Sequence, residues 1–201
     1  MDGGATRREL VRGAAAVGAV SAGILAAPAG AAQLPSDAQL VATLLGTEML
    51  AVFVYGHIVH SSILSGDRQR AAKHLLAHER AHVRAMDAAL DRLGGTPPPP
   101  LGSATNADKL LAASKIQGSL TQLQSSDDAI RLLIRLEVAL QRGYYVAMSS
   151  LQDMDLQHTA AQVLATEAQH ATTLVELLLP GNVDKAVPEP YVEGNPGDGR
   201  V

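Results

Sequence analysis

The sequence contains no cysteine and no tryptophan, and among its 201 residues there are only one phenylalanine and four tyrosines. The absence of cysteine excludes disulfides, thiolate zinc sites, iron–sulfur clusters and a cysteine nucleophile. With 2% aromatic residues, the chain has too few rings for a surface on which nucleic-acid bases stack. A formal net charge of −4 also argues against nucleic acid or an anionic membrane as a partner. Alanine and leucine dominate instead, which favours a mostly helical protein.

The first 31 residues have the features of an export signal. Two adjacent arginines lie between Thr6 and Arg12, an Ala/Gly/Val/Leu stretch covers residues 13–27, and small residues follow at 29–31. This pattern resembles a twin-arginine signal peptide and predicts export of a folded protein to the periplasm, cell envelope or extracellular space. An ordinary secretion signal or an uncleaved anchor is the alternative. No later stretch reaches the ~18 apolar residues of a membrane span, so none is expected in the mature chain.

Helical periodicity predicts four long helices within residues 36–180, and therefore an all-α four-helix bundle. They are expected over about 36–64, 67–93, 126–151 and 157–179, with a capping box at the first and Asp67 capping the second. Some thirty residues separate the second and third helices and include a short helix that Thr105 would cap. The expected topology is two antiparallel helix pairs joined by this long crossover. Residues 181–201 are rich in Pro and Gly and predict a flexible tail.

One glutamate lies in the apolar stripe of each predicted helix: Glu48, Glu79, Glu137 and Glu167. An unpaired carboxylate in an apolar interior costs several kcal/mol, and four of them would repel one another. Since a whole protein is stable by only about 5–15 kcal/mol, something specific must offset this cost. No lysine or arginine lies on these stripes. Two divalent cations would balance the four negative charges, so the pattern predicts bound metal.

Histidines strengthen the metal interpretation. Both Glu79-Arg80-Ala81-His82 and Glu167-Ala168-Gln169-His170 place a carboxylate and an imidazole one turn apart on the same helix face. His78, one turn before His82, is expected at an exposed rim, with a position beside the metal ligands as the alternative. His57 and His60 are expected in solvent.

The two halves of the chain also repeat. Glu48 and Glu79 are 31 residues apart, and Glu137 and Glu167 are 30 apart. A tyrosine follows the first glutamate of each half by seven positions, Tyr55 in one and Tyr144 in the other. Because helical side chains lean toward the N-terminus, each phenol can point back at its glutamate's level of the bundle. This internal symmetry predicts one shared site at the bundle centre.

In these motifs the chain resembles the ferritin-like carboxylate proteins, which bind two iron or two manganese ions inside a four-helix bundle. The resemblance covers about residues 36–180 and implies six metal ligands: Glu48, Glu79, His82, Glu137, Glu167 and His170. It further implies that Glu79 and Glu167 bridge both ions, whereas each remaining ligand binds one. Tyr55 and Tyr144 resemble the tyrosines beside the ligands of rubrerythrin-type sites.

The chain also departs from rubrerythrins. It has no cysteine for their electron-transfer iron, and Leu140 stands where an additional glutamate would be found. An exported chain with Gly94-Gly95-Thr96-Pro97 after the second helix is similar instead to bacterial ferritin-like domain proteins, some of them called desiccation-related.

The resemblance implies two bound metal ions, taken as iron, and oxidation of Fe(II) by O₂ or H₂O₂, or another reaction that consumes peroxide. Its expected partners are therefore Fe(II), O₂ and H₂O₂. Two manganese ions or a mixed pair are the alternatives, with zinc able to bind opportunistically, and a di-manganese site would imply a catalase-like activity. A structural or stress-related bundle without catalysis is the opposing class. Whether the chain is an enzyme, and whether it forms a homodimer, stays open from the sequence.

Overall fold

The fold is described for residues 34–188 by a computed structural model of the chain. The predicted export signal, residues 1–31, lies outside these residues, as does the predicted tail beyond residue 188. All regular elements within the described part are helical, and α1 to α6 in chain order are Asp37–His60, Gly66–Arg92, Ala104–Ala113, Ser126–Met148, Met154–Leu178 and Val183–Ala186. The predicted all-α class is therefore confirmed.

Four long helices form the bundle. The helices α1 and α2 pack along each other, as do α4 and α5, and each pair is joined by a turn so short that its helices run antiparallel. The pairs meet where α1 contacts α4 and where α2 contacts α5. Between the pairs runs the long crossover, which contains α3 and a 3₁₀ turn at Leu120–Gln122. This is the topology that the sequence predicts.

Several helix starts differ from their predicted positions. The capping box of α1 forms as expected, with the Ser36 amide donating to Gln39 Oε1 at 2.8 Å. However, α2 begins after Ser65, so Asp67 lies in its first turn, and α3 is capped by Ser103 in place of Thr105. The side chain of Asp153 accepts hydrogen bonds from the amides of Asp155 and Leu156, and α5 therefore starts at Met154, three residues before its predicted start. Ser103 and Asp153 accept hydrogen bonds from free amides at the starts of α3 and α5, whereas the side chain of Ser65 makes no such bond.

Asp108 of α3 holds the crossover in place. Its carboxylate accepts hydrogen bonds from the hydroxyls of Ser119 and Thr121, at 2.7 and 2.5 Å, and from the amides of Leu120 and Thr121, at 2.5 and 3.2 Å. With Ala107 and Leu111 fully buried, α3 packs against α1 and closes one side of the bundle.

The apolar core consists of two parts, one on each side of a polar layer. One part contains Leu45 and Met86, and the other contains Ile58 and Leu174. On α1, α2 and α5 the stripe glutamate lies between these parts, and on α4 Glu137 lies near the end of one part, one turn before Leu140. The bundle therefore places the polar side chains at mid-height, enclosed by apolar packing above and below.

By length and composition, α1 is the one helix of the described residues that could cross a membrane, with a mean hydropathy of 1.5 over an 18-residue window. Core helices of bundles have the same properties. Here 44% of that window is buried within the protein, and the helix contributes the buried Glu48.

Near the end of the described residues, α6 is a single helical turn whose Ala186 carbonyl accepts a hydrogen bond from Thr172 Oγ1 at 3.2 Å.

Candidate metal centre

All six predicted ligands lie together in the polar layer. The four glutamates are fully buried, and His82 and His170 are 9% and 2% exposed. One glutamate comes from each of α1 and α4, whereas α2 and α5 each supply a glutamate and a histidine one turn apart. The helical period of 3.6 residues keeps each Glu-x-x-His pair on the face that points to the bundle axis.

The six side chains divide into two groups that share two members. One group contains Glu48 and His82, the other contains Glu137 and His170, and both contain Glu79 and Glu167. Within each group, one candidate ligand atom per residue lies within 4.8 Å of all the others. Two neighbouring positions thus share the carboxylates of α2 and α5, in the arrangement that the resemblance implies for bridging glutamates.

Each imidazole turns its Nδ1 atom toward carboxylates. His170 Nδ1 lies 2.9 Å from Glu79 Oε1, 3.1 Å from Glu167 Oε2 and 3.5 Å from Glu137 Oε2. His82 Nδ1 lies 2.8 Å from Glu167 Oε1 and 3.8 Å from Glu48 Oε2. Both nitrogens therefore face the space between the carboxylates, and Nδ1 is the atom that each histidine offers to a metal.

Hydrogen bonding leaves most of these atoms unsatisfied. Eight buried atoms have no partner of acceptable hydrogen-bond geometry: Nδ1 of both histidines, both oxygens of Glu79 and Glu167, and Oε2 of Glu48 and Glu137. Buried polar atoms without partners are rare and costly in native proteins. Because these oxygen and nitrogen donors converge on two positions, and such donors suit Fe, Mn and Zn, the residues present fit a pair of divalent ions.

Two buried tyrosines tie the halves of the bundle together. Tyr144 of α4 donates from Oη to Glu48 Oε1 of α1 at 2.5 Å, and Tyr55 of α1 donates in the same way to Glu137 Oε1 of α4. Each of these glutamates thus has one oxygen held by a phenol from the opposite helix and one oxygen left for the centre. Burial and the nearby carboxylates raise the pKa of both tyrosines, so that they remain neutral donors.

Electrostatic shifts in the metal-free site follow from its burial and crowding. Burial raises the pKa of Glu48 well above its ordinary value, and the charges of Glu79 and Glu167 add to this effect. The pKa of Glu137 is also raised, mainly by burial. These two carboxyls thus resist ionisation until positive charge enters the site.

The pKa values of the two histidines are also raised, in their case by the carboxylates and not by burial. Burial lowers their pKa values, but contacts with Glu167 and Glu79 raise that of His82 to about 9. Contacts with Glu137, Glu167 and Glu79 raise the pKa of His170 to about 12. Burial raises the pKa of Glu167, but hydrogen bonds with His170 and His82 outweigh this effect and lower that pKa to about 2. Protons on the two imidazoles therefore supply positive charge where metal ions would supply it.

One residue of the site differs from its sequence prediction. His78 is half-buried, not on an exposed rim, and its Nδ1 lies at hydrogen-bond distance, 3.0 Å, from His170 Nε2. The i−4 spacing from His82 places His78 near the site face, but its contact with another helix cannot be read from that spacing. By contrast, His57 and His60 are exposed as expected. Leu140 lies in the apolar core and contributes nothing polar to the centre.

Comparison with known proteins gives one match. The family model described as a ferritin-like domain matches residues 36–180, the segment that contains the four long helices and all six candidate ligands. No curated protein and no solved structure matches the chain.

Proposed function

We propose that this chain, which belongs to the ferritin-like domain family, binds two metal ions at the bundle centre and oxidises Fe(II) with O₂ or H₂O₂. The observation that supports this proposal best is the convergence of eight buried oxygen and nitrogen atoms that no protein group satisfies. In a bundle without metal, the protons on the two imidazoles offset only part of the desolvation cost of four buried carboxylates. Divalent ions remove that cost and explain why four acidic side chains lie inside a core.

The residues divide between two metal positions. Glu48 and His82 would hold one ion, Glu137 and His170 the other, and Glu79 and Glu167 both. Bound iron supplies the electrons that reduce O₂ or peroxide. With H₂O₂, the balance is two Fe(II), one H₂O₂ and two protons giving two Fe(III) and two waters, so that iron is the substrate and peroxide the oxidant.

The protein's own groups have three roles in this reaction. Apolar packing on both sides of the polar layer excludes bulk water. The phenols of Tyr55 and Tyr144 fix the orientation of Glu137 and Glu48 by hydrogen bonds that do not use the oxygens facing the centre. Glu79 and Glu167, which are shared by the two positions, would hold both ions close enough for one oxidant to accept an electron from each.

The test is to add Fe(II) to anaerobically prepared metal-free protein and then admit O₂ or H₂O₂. We expect a rise in near-ultraviolet absorbance that saturates at about two iron ions per chain, as the two groups of ligands require. Glu79→Ala, which removes a carboxylate shared by both positions, should abolish the signal. Asp87→Ala, which changes an exposed carboxylate of the same helix, should leave it intact. Oxidation no faster than in protein-free buffer would refute the proposal.

Manganese is the second candidate, because carboxylate-rich sites also suit Mn. A di-manganese centre would disproportionate H₂O₂ to O₂ and water without external electrons. Elemental analysis of protein purified from its own cellular location distinguishes iron from manganese, and loading the metal-free protein with Mn(II) and measuring O₂ release tests the activity.

The proposal also includes export by the twin-arginine route, supported by the pattern of arginines, apolar residues and small residues in residues 1–31. Replacing Arg7 and Arg8 with lysine should retain the protein in the cytoplasm. Unchanged fractionation of this variant would exclude the twin-arginine route.

A further inference from the structure

The two halves of the metal centre are related by the internal repeat, but their histidines have different surroundings. The side chain of His170 is 2% exposed, and its Nε2 lies 3.0 Å from Nδ1 of His78. The side chain of His82 is 11% exposed, and among the described residues no hydrogen bond joins its second ring nitrogen to the protein. His170 thus has a protein partner at the ring nitrogen that faces away from the centre, whereas His82 has none among the described residues.

The contact with His78 has a defined direction when metal is bound. A metal ion at Nδ1 of His170 uses that nitrogen's lone pair, so the ring proton must lie on Nε2. Nε2 then donates to Nδ1 of His78, which must be unprotonated and carries its own proton on Nε2. The two rings also lie nearly parallel, with centroids 5.2 Å apart and 26° between their planes. His78 therefore sets both the tautomer and the orientation of His170.

The repeat provides no equivalent support for His82. His78 precedes His82 by four residues, and the position that precedes His170 by four is Thr166. The hydroxyl of Thr166 donates to the Gln162 carbonyl of its own helix at 3.0 Å. It is therefore satisfied locally and makes no bond to His82.

We propose that His78 is a positioning residue that makes the two metal positions unequal, so that the position of Glu137 and His170 binds a divalent ion more tightly than that of Glu48 and His82. This inference rests on the proposed function, since it concerns the same centre. A hydrogen-bond partner behind a metal-binding histidine typically contributes 10- to 100-fold to metal affinity, roughly the difference expected here between the two positions.

The experiment titrates the full-length metal-free protein with Co(II), following its visible absorption and using a competing chelator to extend the range of affinities. Two Co(II) ions should bind in two distinguishable steps. His78→Ala should weaken the tighter step by about 10- to 100-fold and leave the weaker step unchanged. His78→Asn, whose side-chain oxygen can take the place of Nδ1 as acceptor, should restore the tighter step. Thr166→Ala should bind as the parent does.

His78→Phe keeps a ring at this position but has no acceptor, and it replaces the alanine variant in the comparison if that variant does not fold. Equal weakening of both steps, or no weakening of either, would overturn the inference while leaving two-metal binding in place. Failure of a folded His78→Asn variant to restore the tighter step would show that His78 acts only by packing. A parent protein that binds no Co(II) would overturn the proposed function, and this inference with it.

Discussion

Addition of a divalent metal ion to the metal-free protein at pH 7 should release at least two protons. In the metal-free site, the pKa of His82 is about 9 and that of His170 about 12, because each Nδ1 lies among carboxylates. Both imidazoles are therefore protonated at neutral pH, and each must lose a proton before Nδ1 can bind metal. Burial also raises the pKa values of Glu48 and Glu137, so any proton on these groups adds to the two.

The sign and size of the pH dependence follow from the same groups. Since protons compete with metal, the apparent affinity for two ions should rise with pH, by about 100-fold per unit where two protons are displaced. As pH passes the His82 pKa of about 9, that group is already unprotonated, and the slope should fall to about tenfold per unit.

Calorimetric titration with Co(II) in two buffers of different ionisation enthalpy measures the number of protons released. Repeating the titration between pH 6 and 8 measures the slope. His82→Asn should release one proton fewer at pH 7, which identifies one source of the signal. Metal binding without proton release, or with an affinity independent of pH, would refute the argument that imidazolium ions balance the carboxylates in the empty site.

Two further perturbations test the site through stability. A free metal concentration of 100 times the dissociation constant should stabilise the folded protein by about 2.7 kcal/mol for each site. A chelator should therefore lower the melting temperature measured by circular dichroism. Identical melting with and without chelator would contradict metal binding to the folded state. Tyr144→Phe, which leaves Glu48 Oε1 without its donor, should lower the free energy of unfolding in urea by about 1–3 kcal/mol. Tyr145→Phe is its control, because that neighbouring side chain is 43% exposed, and equal effects of the two substitutions would contradict the role given to Tyr144.

The topology of the bundle could be predicted from the sequence because helical periodicity and the long crossover leave few arrangements. Exact helix starts could not. Near α3, both Ser103 and Thr105 are residue types that cap helices, and the structure shows Ser103 accepting the bond from the Asn106 amide. The start of α5 could not be predicted exactly either, because the apolar periodicity of the sequence does not mark Asp153 as its cap.

The ligand set could be predicted because each glutamate and histidine belongs to the apolar stripe of its own helix, which is a property of local spacing. The bonds made by Tyr55, Tyr144 and His78 depend on which helices are neighbours and at what height. Spacing placed the phenols near the site without showing that each one bonds the glutamate of the other half. It allowed His78 a position beside the ligands as an alternative, without identifying His170 of α5 as its partner.

The crossed phenol–carboxylate bonds bear on how such a fold could have originated. Each helical hairpin contributes two glutamates, one histidine and one tyrosine to the centre, but the acceptor for its tyrosine lies in the other hairpin. Two copies of a single ancestral hairpin, related by a two-fold axis, would therefore contain the same eight groups and the same reciprocal bonds. Fusing two such copies through a long linker yields this chain's arrangement. In a symmetric pair, a histidine at the position of His78 would be present in both copies. Only after fusion can one half gain this histidine while the other half keeps a different residue, as Thr166 does here.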